Sequence, residues 1–296
     1  MFVGKGVNFP ASVDDILIFI NFSHFEKRHA ASSTEAYLSA LKMYHVFRFG
    51  SADQFDVPIV KKVLIGLKNK EAVTFKSKSH RLSMSFDALK VLGHLISNLD
   101  WSSNDKIVVW TACLVGYWGS FRLGEILSTT ARTPSFHTLS WDSITYPKGS
   151  KGVNIFVRCP KTSSDRRGQV TFVASFENDV RYCPVAYLTR LKKITYVNPA
   201  SPVFVFSSGK YVYTQLIRNL MAKLSASLPV PGGHFGGHSF RAGLPTAMAS
   251  RPDLFSNREV KMTGKWSSDA ADRYMRMNNV ESATSLAKLH SLPAFK

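Results

Sequence analysis

The reading turns on Gly237-His238-Ser239-Phe240-Arg241-Ala242-Gly243, followed by Thr263-Gly264-Lys265-Trp266-Ser267-Ser268-Asp269-Ala270-Ala271-Asp272-Arg273-Tyr274-Met275-Arg276. His238 stands three residues before Arg241, a spacing that puts two side chains on one helical face. Trp266 adds an indole N–H donor and Tyr274 a phenolic hydroxyl. Two hydrogen-bonding cations, one neutral donor and one nucleophile can hold a phosphodiester and attack it without a metal. Upstream, an apolar helix predicted over 106–120 delivers Phe121-Arg122-Leu123-Gly124-Glu125, where Arg122 and Glu125 are again three apart. Such a pair is either a buried ion pair or a guanidinium held by Glu125 for a phosphate, which Arg's planar fork suits better than Lys.

Charge points the same way. The chain has 296 residues, enough for two domains, with 45% apolar residues and a net charge of +18 from 38 basic and 20 acidic side chains. That excess is the footprint of a polyanionic partner, of which nucleic acid is the commonest; an anionic membrane surface or mere solubility are the alternatives. Cys113, Cys159 and Cys183 share no CxxC spacing, so neither a disulfide framework nor a zinc site is expected. The opening Met1-Phe2-Val3-Gly4-Lys5-Gly6 lacks an apolar signal core, and no apolar run reaches membrane-spanning length. A folded, soluble, intracellular protein is the expectation.

The amino-terminal third reads as helices. Ser12 to Asp15 caps the apolar run Ile16 to Phe22. Ser32 and Glu35 have capping-box spacing ahead of Tyr37, Leu38, Leu41, Tyr44 and Phe47, the expected packed face of a second helix. A third starts near Asp56, with Pro58 in its first turn, and ends around Lys68. Beyond it the chain is basic. Lys61, Lys62, Lys68, Lys70, Lys76, Lys78 and Arg81 face the single acid Glu71, which reads either as a solvated face or as a linker crossing a phosphate backbone. The domain boundary is placed at 74/75.

From Phe86 helical periodicity resumes, and from Thr138 it changes. Leu139–Thr145, Val153–Cys159 and Gln169–Val173 read as three short strands joined by turns at 147–152 and 160–168. Helices return at Pro184–Lys193, Tyr213–Leu228, Phe240–Ala249 and around 259–263. Tyr274 follows in a short helix of its own with Asp269 and Asp272 in the first turn. An amphipathic tail over Val280 to Leu289 closes the chain. The fold class is mainly α with a small antiparallel β-sheet.

Arg122, Lys161, His238-x-x-Arg241, Trp266 and Tyr274, in that order, resemble the active site of the tyrosine recombinases, the phage-integrase type. The resemblance runs over roughly residues 80 to 280. A helical core-binding domain at 1–74 and a catalytic domain at 75–296 match that family's plan. Trp-Ser-Ser-Asp-Ala followed by Tyr-x-Arg is most similar to recombinases of DIRS, Ngaro and Crypton mobile elements. Two departures stand out: Trp266 occupies a position that is His in many members, and Trp266 to Tyr274 is one residue shorter than the family's common spacing.

The resemblance implies the following chemistry. Tyr274 attacks the scissile phosphorus, leaving a 3′-phosphotyrosyl link and a free 5′-hydroxyl, with no metal, ATP or other cofactor. Arg122 and Arg241 clamp the non-bridging oxygens. Lys161, at the start of the second hairpin turn, protonates the departing 5′-oxygen; Lys148 and Lys151, in the first turn, compete for that role. His238 assists proton transfer, Trp266 donates its N–H, and Glu125 orients the cations. His234, Tyr182, Tyr211 and Tyr213 lack the flanking pattern and are expected to pack or lie in loops. The implied partner is double-stranded DNA, bound as two duplexes by four protomers that exchange the tail helix and pass through a Holliday junction. A nuclear location follows for a eukaryotic element. A type IB topoisomerase and a DNA-binding protein that has lost catalysis are the competing readings.

Overall fold

The computed structural model describes residues 9–74, 80–158 and 168–265. The chain divides into two compact units, 1–78 and 79–296.

In the first unit, α1 (Val13–Asn21) opens on a true capping box. Ser12 Oγ accepts from Asp15 N–H and the Asp15 carboxylate accepts from Ser12 N–H at 2.9 Å. A π-turn over Phe22–Glu26 leads to α2 (Ala31–Phe49). Here the expected Ser32–Glu35 box does not form. The N-cap lies two residues earlier, at Ala30, whose side chain caps nothing, and Glu71 Oε1 takes the Ala31 N–H at 2.6 Å instead. That carboxylate comes from α3 (Pro58–Thr74), which begins at Pro58 as expected and continues past Lys68. The packed face of α2 is also narrower than its apolar pattern. Leu38 is buried, but Tyr37, Tyr44 and Phe47 are 46%, 50% and 89% exposed. Ile16, Ile20, Leu38, Phe55, Val60 and Leu67 form this unit's core.

The second unit is built on α5. After β1 (His80–Arg81) and α4 (Phe86–Ser97), α5 (Ser103–Trp118) is buried at every position from Ile107 to Tyr117. Burial on all sides marks a central helix rather than an amphipathic surface one. The turn after it feeds α6 (Leu123–Ile126). A single 3-10 turn at Trp141–Ser143 then leads to β2 (Ile144–Thr145), β3 (Gly152–Val157) and β4 (Gln169–Ala174), an antiparallel meander in the order β2-β3-β4. Register pairs Ile144 with Ile155 and Val153 with Val173. The first strand is therefore far shorter than 139–145, because most of that apolar run enters the core as a turn carrying buried Leu139 and Trp141.

On one side α5 meets the segment leading into α7 (Pro184–Thr195): the indoles of Trp110 and Trp118 donate to the carbonyls of Arg181 and Tyr182 at 3.0 and 2.8 Å. Next come α8 (Thr214–Ser227), β5 (Gly233–His234), α9 (Ser239–Ala249) and α10 (Asn257–Gly264). The two-residue strands β1 and β5 pair in parallel, joining His80 to Gly233 and Arg81 to His234. Contact between α5 and α9 is close enough to require glycine. A Cβ on Gly243 would lie 2.6 Å from the Met84 carbonyl oxygen and 2.8 Å from the Tyr117 ring.

Candidate active site

Arg122 and Arg241 converge on one carboxylate. At the end of α5, Ser120 adopts a left-handed conformation (φ 47°) and is fully buried, turning the chain so that Phe121 enters the core and Arg122 leaves it. Gly119 allows this turn, since a Cβ there would meet the Phe121 ring at 2.2 Å. Arg122 then sits at the N-cap of α6. Its N–H donates to Glu125 Oε2 at 2.9 Å and its Nη1 to Glu125 Oε1 at 2.9 Å. The remaining reach of Glu125 is toward Arg241, with Nη1 3.7 Å from Oε2. Exposure separates the roles. Glu125 and Arg241 are buried (side chains 6% and 3% exposed), whereas Arg122 is 19% exposed and keeps part of its fork open to solvent.

Arg241 is held from three directions. It lies in the first turn of α9, and that helix is pinned at its start by Ser239, whose Oγ donates to the Leu82 carbonyl at 2.6 Å while accepting from Gly236 N–H. Met84 N–H donates to the Ser239 carbonyl, so the segment after β1 and the head of α9 are stitched together. On the far side, Arg241 Nη2 donates to the Lys265 carbonyl at 2.8 Å. His238 is exposed at the N-cap of α9, three residues before Arg241. Its loop passes close to α6, since a Cβ on Gly237 would touch Leu123 at 3.4 Å and lie 3.8 Å from Arg218 Nε.

Lys265 is the member that the sequence did not single out. It ends α10 in a left-handed conformation (φ 53°), with its Nζ 3.7 Å from the centre of the Phe121 ring. Burial lowers its pKa from the usual 10.5 to about 7; Glu125 opposes that drop, and Arg241 and Arg122 add to it. Among the described residues, two guanidiniums and the Lys265 amine thus gather around the Glu125 carboxylate, largely out of water. Guanidinium groups of this kind can donate N–H bonds to the two non-bridging oxygens of a phosphate diester.

The structure thus brings together Arg122, Glu125 and Arg241 and places His238 on the adjoining helix cap. Lys161, Trp266 and Tyr274 lie outside the described residues, as do the tail over 280–289, Lys76 and Lys78. Lys61, Lys62, Lys68 and Lys70 are exposed on α3, with Lys68 paired to Glu35 at 2.9 Å and Lys70 over the Phe25 ring at 4.9 Å. Arg81 is exposed in β1. Lys148 and Lys151 fall in the first hairpin turn, and Lys151 reaches Glu177 at 3.1 Å. His234 lies in β5 and Tyr182 packs on the core. Among the described residues, no group of three His, Cys, Asp or Glu side chains is placed to hold a metal ion, and no helix is long and apolar enough to cross a membrane.

No protein-family model and no curated protein matches the chain. Solved structures do. The chain is similar to XerH site-specific recombinase bound to palindromic difH substrate in a post-cleavage complex, at 12% identity and a TM-score of 0.56, over 92% of this chain and 72% of that one. It is also similar to lambda integrase in a dimer bound to a COC' core site, at 13% identity and a TM-score of 0.52, over 90% of this chain and 83% of that one. A DNA-bound lambda integrase gives 14% identity and a TM-score of 0.50, over 88% of this chain and 79% of that one. At such identities the likeness is one of fold: the chain has the mainly helical fold with a small antiparallel sheet of the tyrosine recombinases.

Proposed function

We propose that this chain is a site-specific DNA recombinase that cleaves and rejoins strands through a 3′-phosphotyrosyl intermediate on Tyr274. One observation carries the reading. Two arginines from separate helices, 119 positions apart in sequence, converge on one buried carboxylate, and Arg122 stays partly exposed. The fold shared with XerH and lambda integrase supports it, as does the net charge of +18.

In this reading Arg122 and Arg241 bind the two non-bridging oxygens of the scissile phosphate and stabilise the charge that builds on them in the transition state. Glu125 holds both guanidiniums in place. The Tyr274 oxygen attacks phosphorus as the 5′-oxygen leaves, His238 takes the phenolic proton, and Lys161 gives a proton to the leaving oxygen. Trp266 donates its indole N–H to the phosphate. The ester is preserved in the protein–DNA link, so a 5′-hydroxyl of a second strand can reverse the step without ATP. The first unit, with Lys61, Lys62, Lys68, Lys70, Lys76 and Lys78 toward its exit and Arg81 just beyond it, is the core-binding arm that positions the duplex. Integration or excision of a mobile element of the DIRS, Ngaro or Crypton type, by four protomers on two duplexes, is the biological setting we assign.

Covalent trapping tests this. Wild type and Tyr274→Phe are incubated with a library of nicked duplexes, and SDS-stable adducts are recovered and sequenced. Adducts formed by the wild type alone support the reading and reveal the target site. Tight binding with no adduct refutes it in favour of a non-catalytic DNA-binding protein.

A further inference from the structure

We propose that the loop over 128–138 is a further DNA-contacting element of this protein. Arg132, with Lys210 on the adjoining hairpin, holds backbone phosphates of the duplex beside the scissile site, and Phe136 lies against its sugars and base edges. The inference rests on the reading of the chain as a DNA recombinase and adds a contact surface to it.

The loop is built rather than slack. Its ends meet where Leu139 N–H donates to the Ile126 carbonyl at 3.1 Å, which makes it a compact Ω-loop. Inside it, Ser128 Oγ donates to the Thr133 carbonyl at 2.7 Å, the Thr130 and Thr133 hydroxyls hydrogen-bond at 2.9 Å, and Thr138 Oγ1 accepts from Ser135 N–H at 2.8 Å. The hairpin before α8 pins it from outside. Tyr211 N–H donates to the Ala131 carbonyl at 2.9 Å, and Thr214 N–H to the Ser128 carbonyl at 3.0 Å. A loop already ordered by its own bonds loses little entropy when a partner binds.

Its position follows from its ends. The loop leaves α6, the helix that carries Glu125 and is capped by Arg122, so it starts beside the arginine site. Just past its other end, Ser140 Oγ accepts from Arg158 Nη2 at 3.1 Å, at the foot of the β3–β4 hairpin.

The chemistry of its surface selects the partner. Arg132 and Lys210 are exposed, and they flank the Ala131–Tyr211 hydrogen bond in sequence. Lys68 and Lys151 are paired with Glu35 and Glu177, but no acid lies between Glu125 and Asp142, nor anywhere over 180–252, which includes the hairpin. Phe136 is 66% exposed, its ring edge-on to that of His137 at 5.7 Å. An apolar protein partner calls for a broad apolar patch. One phenyl ring among hydroxyls and cations fits DNA instead, where the interface is polar and positive and apolar contacts go to thymine methyls and groove walls.

The test measures affinity of the full chain for a mixed-sequence duplex and for the duplexes recovered by trapping, across a salt series. Arg132→Ala and Lys210→Ala are each expected to flatten the slope of log affinity against log salt by about 0.9, the loss of one phosphate contact. Arg132→Lys should keep the wild-type slope. Phe136→Ala should weaken binding on the order of tenfold with the slope unchanged. All three positions are exposed, so thermal unfolding should match wild type in every variant. Wild-type slopes in both Arg132→Ala and Lys210→Ala, or wild-type affinity in Phe136→Ala, overturn the assignment, and they leave the recombinase reading intact if wild type still forms adduct. Duplex binding without adduct defeats the cleavage reading, while the slopes still decide the role of the loop. Wild type that binds no duplex takes both down.

Discussion

Replacing Glu125 with Gln probes the charge arrangement most sharply, because the amide keeps the shape and one acceptor oxygen while removing the carboxylate that both arginines approach. The distance of 3.7 Å to Arg241 corresponds to roughly 4 kcal/mol of attraction at an effective dielectric of about 20. The closer Arg122 contact of 2.9 Å adds less than its distance implies, since that side chain is 19% exposed and solvent screens it. Breaking a buried pair from one side typically costs about 3–5 kcal/mol, because the surviving charge stays out of water. For a unit of this size each kcal/mol lowers Tm by roughly 2–4 °C, so a fall of roughly 6–20 °C is expected. The cost should be greater at pH 6 than at pH 9. Glu125 raises the pKa of Lys265, so at low pH the variant loses its attraction to a third charge, which is absent in both proteins at high pH. Differential scanning fluorimetry at both pH values, with and without sulfate, measures this. Sulfate should recover more Tm in the variant than in the wild type, since an anion replaces the missing negative charge. A Tm within 1–2 °C of wild type (under about 1 kcal/mol), with no added response to sulfate, would refute the shared-carboxylate arrangement.

Other outcomes follow from the same contacts. Gly243→Ala forces a Cβ to within 2.6 Å of the Met84 carbonyl oxygen, so it should destabilise by about 1–3 kcal/mol and displace Arg241; chemical denaturation and adduct formation should fall together. Ser120→Gly relieves a left-handed serine whose buried hydroxyl makes no hydrogen bond, and should raise stability by about 1 kcal/mol, read as an upward Tm shift. Glu71→Ala strips the acceptor from the Ala31 N–H and should cost about 2 kcal/mol in urea unfolding. Lys265 sets a pH slope: its folded pKa of about 7 lies below the usual 10.5, so the unfolded chain binds more protons between those values and stability rises with pH across that window. Wild type should therefore gain on Lys265→Met as pH rises from 7 to 10, measured by unfolding at each pH.

What could be read from the sequence was whatever a local pattern encodes. The Ser12–Asp15 cap, Pro58 in the first turn of α3 and the strand runs of β3 and β4 depend on neighbours within a few residues, and the structure shows them there. The Arg122–Glu125 pair was visible for the same reason. The start of α2 was misread because its cap is a carboxylate 40 residues away. Strands β1 and β5 are two residues each, too short for any periodicity, and their pairing is fixed by tertiary contacts at Leu82 and Ser239. Tyr44 and Phe47 follow the apolar pattern of α2 yet face solvent, since periodicity shows which residues share a face but not how wide a stripe the neighbouring helices cover. Lys265 escaped notice because a lone lysine between Gly264 and Trp266 has no pattern; its meaning comes from Arg241 and Phe121, which only folding brings to it.

Identifying the amino acid joined to DNA tests the proposed chemistry most directly. Trapped adduct is digested with protease and nuclease, and the linked peptide is sequenced by mass spectrometry while the free DNA end is mapped. A peptide carrying a 3′-phosphate on Tyr274, with a 5′-hydroxyl on the released strand, is the expected result. A link to any other residue, or a 5′-phosphate on the protein, would contradict it.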